Sequence, residues 1–155
     1  MTGAARYFDT RIDVISPTTR WPALANEGVA GGAMDAARFN QMKQAFIRNG
    51  GVVDQSADAQ AYLRMRQAEG VTFDAKTILL PENPTMTAVF EEFIHTAQHR
   101  TGRFAATIDQ FGTAEAIRRM EIEAAEKLIR NRHSWQIPNA ETRQTIERLR
   151  GLRNQ

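Results

Sequence analysis

The run TILLPENPTMTAVFEEFIHTAQHRTG, residues 77–102, decides how this chain is read. It opens on β-branched and apolar residues, crosses two prolines and settles into a helical period. Together with the residues before it, VTFDAKTILL (71–80) carries the strongest strand signal in the chain, with 74–76 as a turn between two short strands. Asn83 is expected to cap a helix and Pro84 to take its first position, where a missing N–H costs nothing. That helix is expected over 84–101, with Gly102 just past its end. At roughly 100° per residue, Met86, Val89, Phe90, Phe93, Ile94 and Ala97 share one apolar arc. Glu91, Glu92, His95 and His99 share the opposite arc, with Gln98 at its border.

Working outward, residues 1–33 read as an irregular N-terminal segment or linker, because ISPTTRWPALANEGVAGGA has no sustained periodicity. Residues 34–155 read as a single domain. Asp35 caps a predicted helix running to about 49, with Phe39, Met42 and Phe46 on one face and the sequence Asn-Gly-Gly ending it. Val52 and Val53 suggest a short strand. Ser56 caps a helix over 57–69 that stops at Gly70. DQFGT (109–113) reads as a break, with Thr113 capping a helix over 114–132. Pro138 and Asn139 open a last helix whose face is Ile146, Leu149 and Leu152. The fold class is therefore α+β: a mostly helical single domain with a small β-sheet or hairpin. The strand 77–80 is expected at a sheet edge, lining a cleft.

The chain of 155 residues is long enough to bury a core as one domain. Cysteine is absent, which excludes disulfides, thiolate metal sites, Cys nucleophiles and Cys-ligated zinc deaminases. No apolar run approaches the ~20 residues that span a bilayer. The formal net charge is only +2 and the arginines are spread along the chain, a weak signature for nucleic acid.

The chemistry concentrates on the 84–101 helix. Glu91 and His95 are one turn apart and can meet at one metal, with Glu92 beside them as a carboxylate able to take a proton from water. This is the layout of an HExxH helix with Glu in place of the first His. In a second arrangement His95 and His99 are the ligands. Thr96 then stands where the base belongs, and a hydroxyl cannot act as a base at neutral pH. A solvated polar face carrying a local Glu–His pair would read the same way.

A catalytic zinc site needs a third protein ligand. Glu121 falls in the middle of a stripe formed by Ile117, Met120, Ala124, Ala125 and Leu128, whereas Glu123 and Glu126 fall on the solvated side. A buried Glu asks for a cation: either a metal held with Glu91 and His95, or an arginine such as Arg118 or Arg132. Asp109, Glu123 and His133 are weaker third ligands.

The run at 77–102, followed by EIEAAEKLIRN (121–131), resembles the zincin-like metallopeptidase toxin domains at the C-terminal ends of bacterial polymorphic toxins. The likeness covers roughly residues 71–132. It implies that Glu91 takes the place of the first His of the motif, Glu92 that of the general base, His95 that of the second ligand and Glu121 that of the acidic ligand. The cofactor implied is zinc, or another divalent ion given the extra carboxylate. A protein or peptide substrate, a cognate immunity protein and delivery by a bacterium into a target cell are implied with it. Two other classes stay open. One is a toxin acting on nucleic acid or a nucleotide without metal, holding phosphate with Arg100, Arg103, Arg118, Arg119, Arg130 and Arg132. The other is a non-enzymatic binding module.

Overall fold

A computed structural model describes residues 32–155. The expectation for the N-terminal 33 residues falls almost wholly outside them. Helix α1 (Ala36–Arg48) is capped as expected by Asp35, whose carboxylate accepts from Arg38 N at 2.9 Å. Strand β1 (Val52–Asp54) follows. Helix α2 (Ala57–Arg66) is capped by Ser56, whose hydroxyl accepts from Ala59 N at 3.2 Å. It stops short of the predicted end because Gln67 turns into the left-handed region at φ 53°.

Strands β2 (Val71–Thr72) and β3 (Thr77–Leu79) form the expected hairpin, with Lys76 N donating to Asp74 Oδ1 at 2.8 Å inside the turn. The sheet order is β1-β3-β2. Val71 pairs with Leu79 and Thr72 with Ile78 in antiparallel register, while β1 adds in parallel on the other side, Val53 opposite Ile78. β3 is thus the central strand and not an edge. Its N–H and C=O groups are taken by neighbours on both sides, so it cannot pair with an extended peptide as expected from the sequence. Alternate residues of β3 face opposite layers. Leu79 packs with Ala59, Tyr62 and Leu63 of α2. Ile78 packs with Val89, Phe90 and Ile94 of helix α3 (Met86–Arg100).

α3 starts two residues later than predicted. Thr85, not Asn83, is its cap: the Thr85 hydroxyl accepts from Ala88 N at 3.1 Å. Pro84 lies before the helix, and its carbonyl accepts from Met34 N at 2.7 Å, tying the start of the described chain to the start of α3. Gly102 (φ 77°) then turns the chain directly into helix α4 (Arg103–Phe111). α4 was not expected from the sequence; it buries Phe104 and Thr107.

Helix α5 (Thr113–Arg130) begins at Thr113 itself, with Gly112 (φ 83°) in the cap position and no side-chain cap. Helix α6 (Asn139–Arg153) closes the fold. Of the expected face Ile146, Leu149 and Leu152 only Leu149 is buried, and it is joined by Glu141, Thr142, Thr145 and Arg148. α3 is covered by the sheet, α4 and α5, and Phe90 is stacked on Trp135 at 4.6 Å. The architecture is a mostly helical α+β domain with a small three-stranded mixed sheet, as the sequence indicated.

Thr85→Ala should lower stability by about 1 kcal/mol through loss of the cap, while Asn83→Ala should change it by less than about 0.5 kcal/mol. Thermal melts of the two variants check this. An equal loss in both would restore Asn83 as a cap.

Candidate metal centre

Because α3 is covered on nearly every side, the arc read as wet in the sequence lies in the interior. Glu91 is 2% exposed, Glu92 0% and His95 5%. Helical spacing put them on one side of α3; β2 covers Glu92, and α5 and α6 cover His95 and Glu91.

His95 is oriented by a chain of hydrogen bonds. The Gln98 amide donates to Met120 O and to Glu123 Oε1, each at 3.1 Å. With both amide protons committed to carbonyl and carboxylate acceptors, Gln98 Oε1 must face the ring, 2.6 Å from His95 Nδ1. That nitrogen therefore carries the proton, and Nε2 keeps its lone pair. Nε2 is buried with no hydrogen-bond partner, 3.9 Å from Glu121 Oε1. Burial lowers the His95 pKa, against an upward pull from the Glu91 charge. A neutral imidazole with Nδ1 engaged and Nε2 open is the ligating form.

Glu121 reaches this point from α5. Its place on the apolar stripe is borne out: it is 7% exposed. One ligand atom from each of Glu91, His95 and Glu121 lies within 4.8 Å of the others, so the three form a buried group able to hold a metal ion. Ligands around a tetrahedral zinc with bonds of ~2.0–2.2 Å sit about 3.3 Å apart, so small side-chain shifts would close the set.

The two arginines that the sequence nominated as partners of Glu121 are engaged elsewhere, Arg118 with Glu115 and Leu152 O, and Arg132 with Ile129 O. Arg148 of α6 makes a two-pronged pair with Glu91, Nη1 donating to Oε1 at 3.0 Å and Nη2 to Oε2. Both side chains are buried. Burial alone would lower the guanidinium pKa; the charge of Glu91 and its hydrogen bonds raise it instead. A carboxylate offers about four lone-pair sites, so Glu91 can accept both Arg148 bonds and still face a metal.

Arg148 also offsets the extra carboxylate that a Glu brings to the first ligand position. Its guanidinium cancels one of the two carboxylates. The set then carries the same net charge as the two imidazoles and one carboxylate of a common catalytic zinc site. The donor set fits a divalent ion.

Glu92 points elsewhere. Thr72 Oγ1 of β2 donates to its Oε1 at 2.7 Å, while its buried Oε2 has no hydrogen-bond partner. Gly70 makes room for it, since a Cβ there would lie 2.9 Å from both Glu92 Cγ and Oε2. Burial, then the neighbouring Glu91 charge, pushes the Glu92 pKa well above the ordinary value. Glu69 lines the same region. Burial, then Glu91 and Glu141, raises its pKa to about 7.

The remaining candidates lie outside the group. His99 is half-buried with its ring edge-on to Phe104 at 5.1 Å, and burial lowers its pKa. Glu123 is not simply solvated: it accepts from Arg103 and holds Gln98, so it supports His95 at one remove. Asp109 and His133 are exposed. Among the arginines considered for phosphate, Arg103 is paired with Glu123, and Arg118 and Arg119 are paired with Glu115. No described helix is long and apolar enough to cross a membrane. No family model, curated protein or solved structure matches the chain.

Sequence reasoning did not single out Arg148, Glu141, Glu69, Gln98, Thr72 or the packing role of Gly70. For α6 a signal existed. Glu141, Thr142, Thr145, Arg148 and Leu149 recur at helical spacing, but a stripe of polar residues is not sought as a buried face.

Two outcomes follow. Arg148→Met strands the Glu91 charge and should cost about 3–5 kcal/mol of stability, whereas Glu91→Gln combined with Arg148→Met should cost clearly less than the two singles added. Additive losses in denaturant melts would show that the pair is not coupled. The Glu69 pKa is raised on folding, from 4.5 to about 7. The metal-free protein should therefore be most stable below pH ~4.5 with respect to this group and lose that contribution as pH rises through ~7. Glu69→Gln should remove the slope and gain about 1–3 kcal/mol at pH 8. Parallel stability–pH curves for the two proteins would refute it.

Proposed function

We propose that this chain is a metal-dependent hydrolase, a zincin-like peptidase acting as an antibacterial effector, with zinc or another divalent ion held by Glu91, His95 and Glu121. The observation that carries the reading is the His95 ring. Its Nε2 is buried and unpartnered beside two carboxylates, and its Nδ1 is fixed by Gln98. A solvated helix face has no reason to hold an imidazole in that state. The resemblance of residues 71–132 to polymorphic-toxin peptidase domains supports delivery into a target cell and a cognate immunity protein.

A divalent ion at this site supplies Lewis acidity toward a carbonyl oxygen and lowers the pKa of water. The protein groups do the rest. Glu91 is oriented by its two hydrogen bonds from Arg148. Glu92 is the general base; its Thr72 bond fixes one oxygen and leaves Oε2 to take a proton. Burial and the neighbouring Glu91 charge raise the Glu92 pKa, the direction that strengthens a carboxylate as a base. The covered walls of the site keep bulk water from screening these charges.

Elemental analysis of the purified chain should find about one divalent ion, and a chelator should lower its melting temperature. Glu121→Gln should lose the metal while staying folded. Production in a bacterial cell without a partner should be harmful. Glu92→Gln should abolish the harm yet keep the metal, His95→Ala should lose both, and His99→Ala should keep both. A Glu92→Gln variant that stays fully toxic would exclude the peptidase mechanism. Metal-free protein with an unchanged melting temperature would exclude the metal.

A further inference from the structure

The Glu91–Arg148 pair forms one wall of a narrow pocket that the proposed hydrolysis does not use. The pocket lies between the residues just before β2, the first turns of α3 and the start of α6, and Glu69, Thr87, Glu141 and Gln144 also line it. The space fits about one water-sized group. Four carboxylates reach it, Glu69, Glu91, Glu92 and Glu141, against the single guanidinium of Arg148.

Glu141 is the informative residue. It is 2% exposed. One of its oxygens accepts from Thr87 N at 2.9 Å, holding the first turn of α3. The other, Oε2, is buried with no hydrogen-bond partner. A helix cap needs only one oxygen, so capping accounts for Oε1 and leaves Oε2 unexplained. A buried carboxylate oxygen with no donor is costly, and a donor arriving from outside would remove that cost. Thr87 Oγ1, also buried and without a partner, adds a second acceptor to the same wall.

We infer that this pocket binds a primary ammonium group, supplied by the lysine side chain or the amino terminus of the substrate peptide. An ammonium is a compact cation with three donors, matched to a water-sized space lined by acceptors. A guanidinium is too large and planar for it. The half-buried Glu69 at the rim lets the cation enter. The raised pKa of Glu69 agrees with an acid cluster short of positive charge when empty. Because Glu91 belongs both to this pocket's wall and to the candidate metal centre, the ammonium would be fixed next to the bond to be cut. Only the naming of the ammonium as part of a peptide substrate rests on the hydrolase reading; the pocket's own chemistry does not.

The test uses the full chain, 15N-labelled and chelator-treated, titrated with three blocked amino acids. N-acetyl-lysine amide offers only a side-chain ammonium, glycinamide only an α-ammonium, and N-acetyl-norleucine amide neither. Saturable shifts of the Thr87 and Gln144 amide signals are expected with at least one of the first two and none with the third. The tighter of the two names the source. Glu141→Gln keeps an acceptor for Thr87 N and should weaken binding at least 10-fold. Glu69→Gln, at the rim, does the same test should Glu141→Gln fail to fold. No saturable shift, equal shifts with the norleucine compound, or equal competition by potassium ions would overturn the inference. Zinc binding measured separately divides the two claims. Zinc without ammonium binding leaves the hydrolase and removes this pocket. Ammonium without zinc binding leaves the pocket and removes the hydrolase.

Discussion

The pair between Glu91 and Arg148 is the constraint on which the rest of the site depends. It joins α3 to α6 across 57 residues of sequence, and both partners are buried. Burying two charges is costly, and mutual attraction offsets that cost only when geometry is good and remaining hydrogen-bonding capacity is used. The two-pronged geometry meets the first condition. On α6 the guanidinium shares its buried face with Glu141, Thr142 and Thr145 in place of an aliphatic stripe. A purely apolar α6 would pack more easily but would leave Glu91 with an unbalanced charge.

The sheet has a related part in the site. It is too small to form a core of its own, and its two- and three-residue strands serve to place two features beside α3. Thr72 projects from β2 onto Glu92, and Gly70 just before it leaves the space that the Glu92 carboxyl fills. The central position of β3 follows from the same arrangement. Ile78 and Leu79 must cover both layers, so this strand is shut in, and β2 is the one left beside the acids.

Much of this was legible in the sequence, and the limit falls where local pattern ends. Glu91 with His95 was readable because residues four apart on a helix share a face. Glu121 was readable because a carboxylate in an apolar stripe is itself a signal. The hairpin over 71–80 was readable from β-branched runs and an Asp-bearing turn. Burial of the polar arc was not, because it depends on which helices pack over α3, and nothing local to 84–101 specifies that. Arg148 was missed for the same reason: its partner lies on another helix, and its own surroundings look like an exposed arginine-rich tail. Asn83 and Thr85 are both good caps two residues apart, and the choice between them rests on Pro84 being tied to Met34, a tertiary contact.

The overlooked helix α4 has a consequence for the buried imidazole. Arg103, its first residue, pairs with Glu123, and Lys127 approaches the same carboxylate at 3.9 Å. Glu123 accepts from Gln98, and Gln98 holds His95 Nδ1. A side chain more than half exposed at the surface thus connects, through three hydrogen bonds by way of Glu123 and Gln98, to the nitrogen that decides where the His95 proton sits. Glu123 is the acceptor that both Arg103 and the Gln98 amide use. An acceptor at that point fixes the Gln98 amide, and the fixed amide leaves Nε2 as the open nitrogen. The tautomer that makes His95 a candidate ligand is therefore set from outside the core, by a helix whose only evident role in packing is to cover one end of α3 and α5.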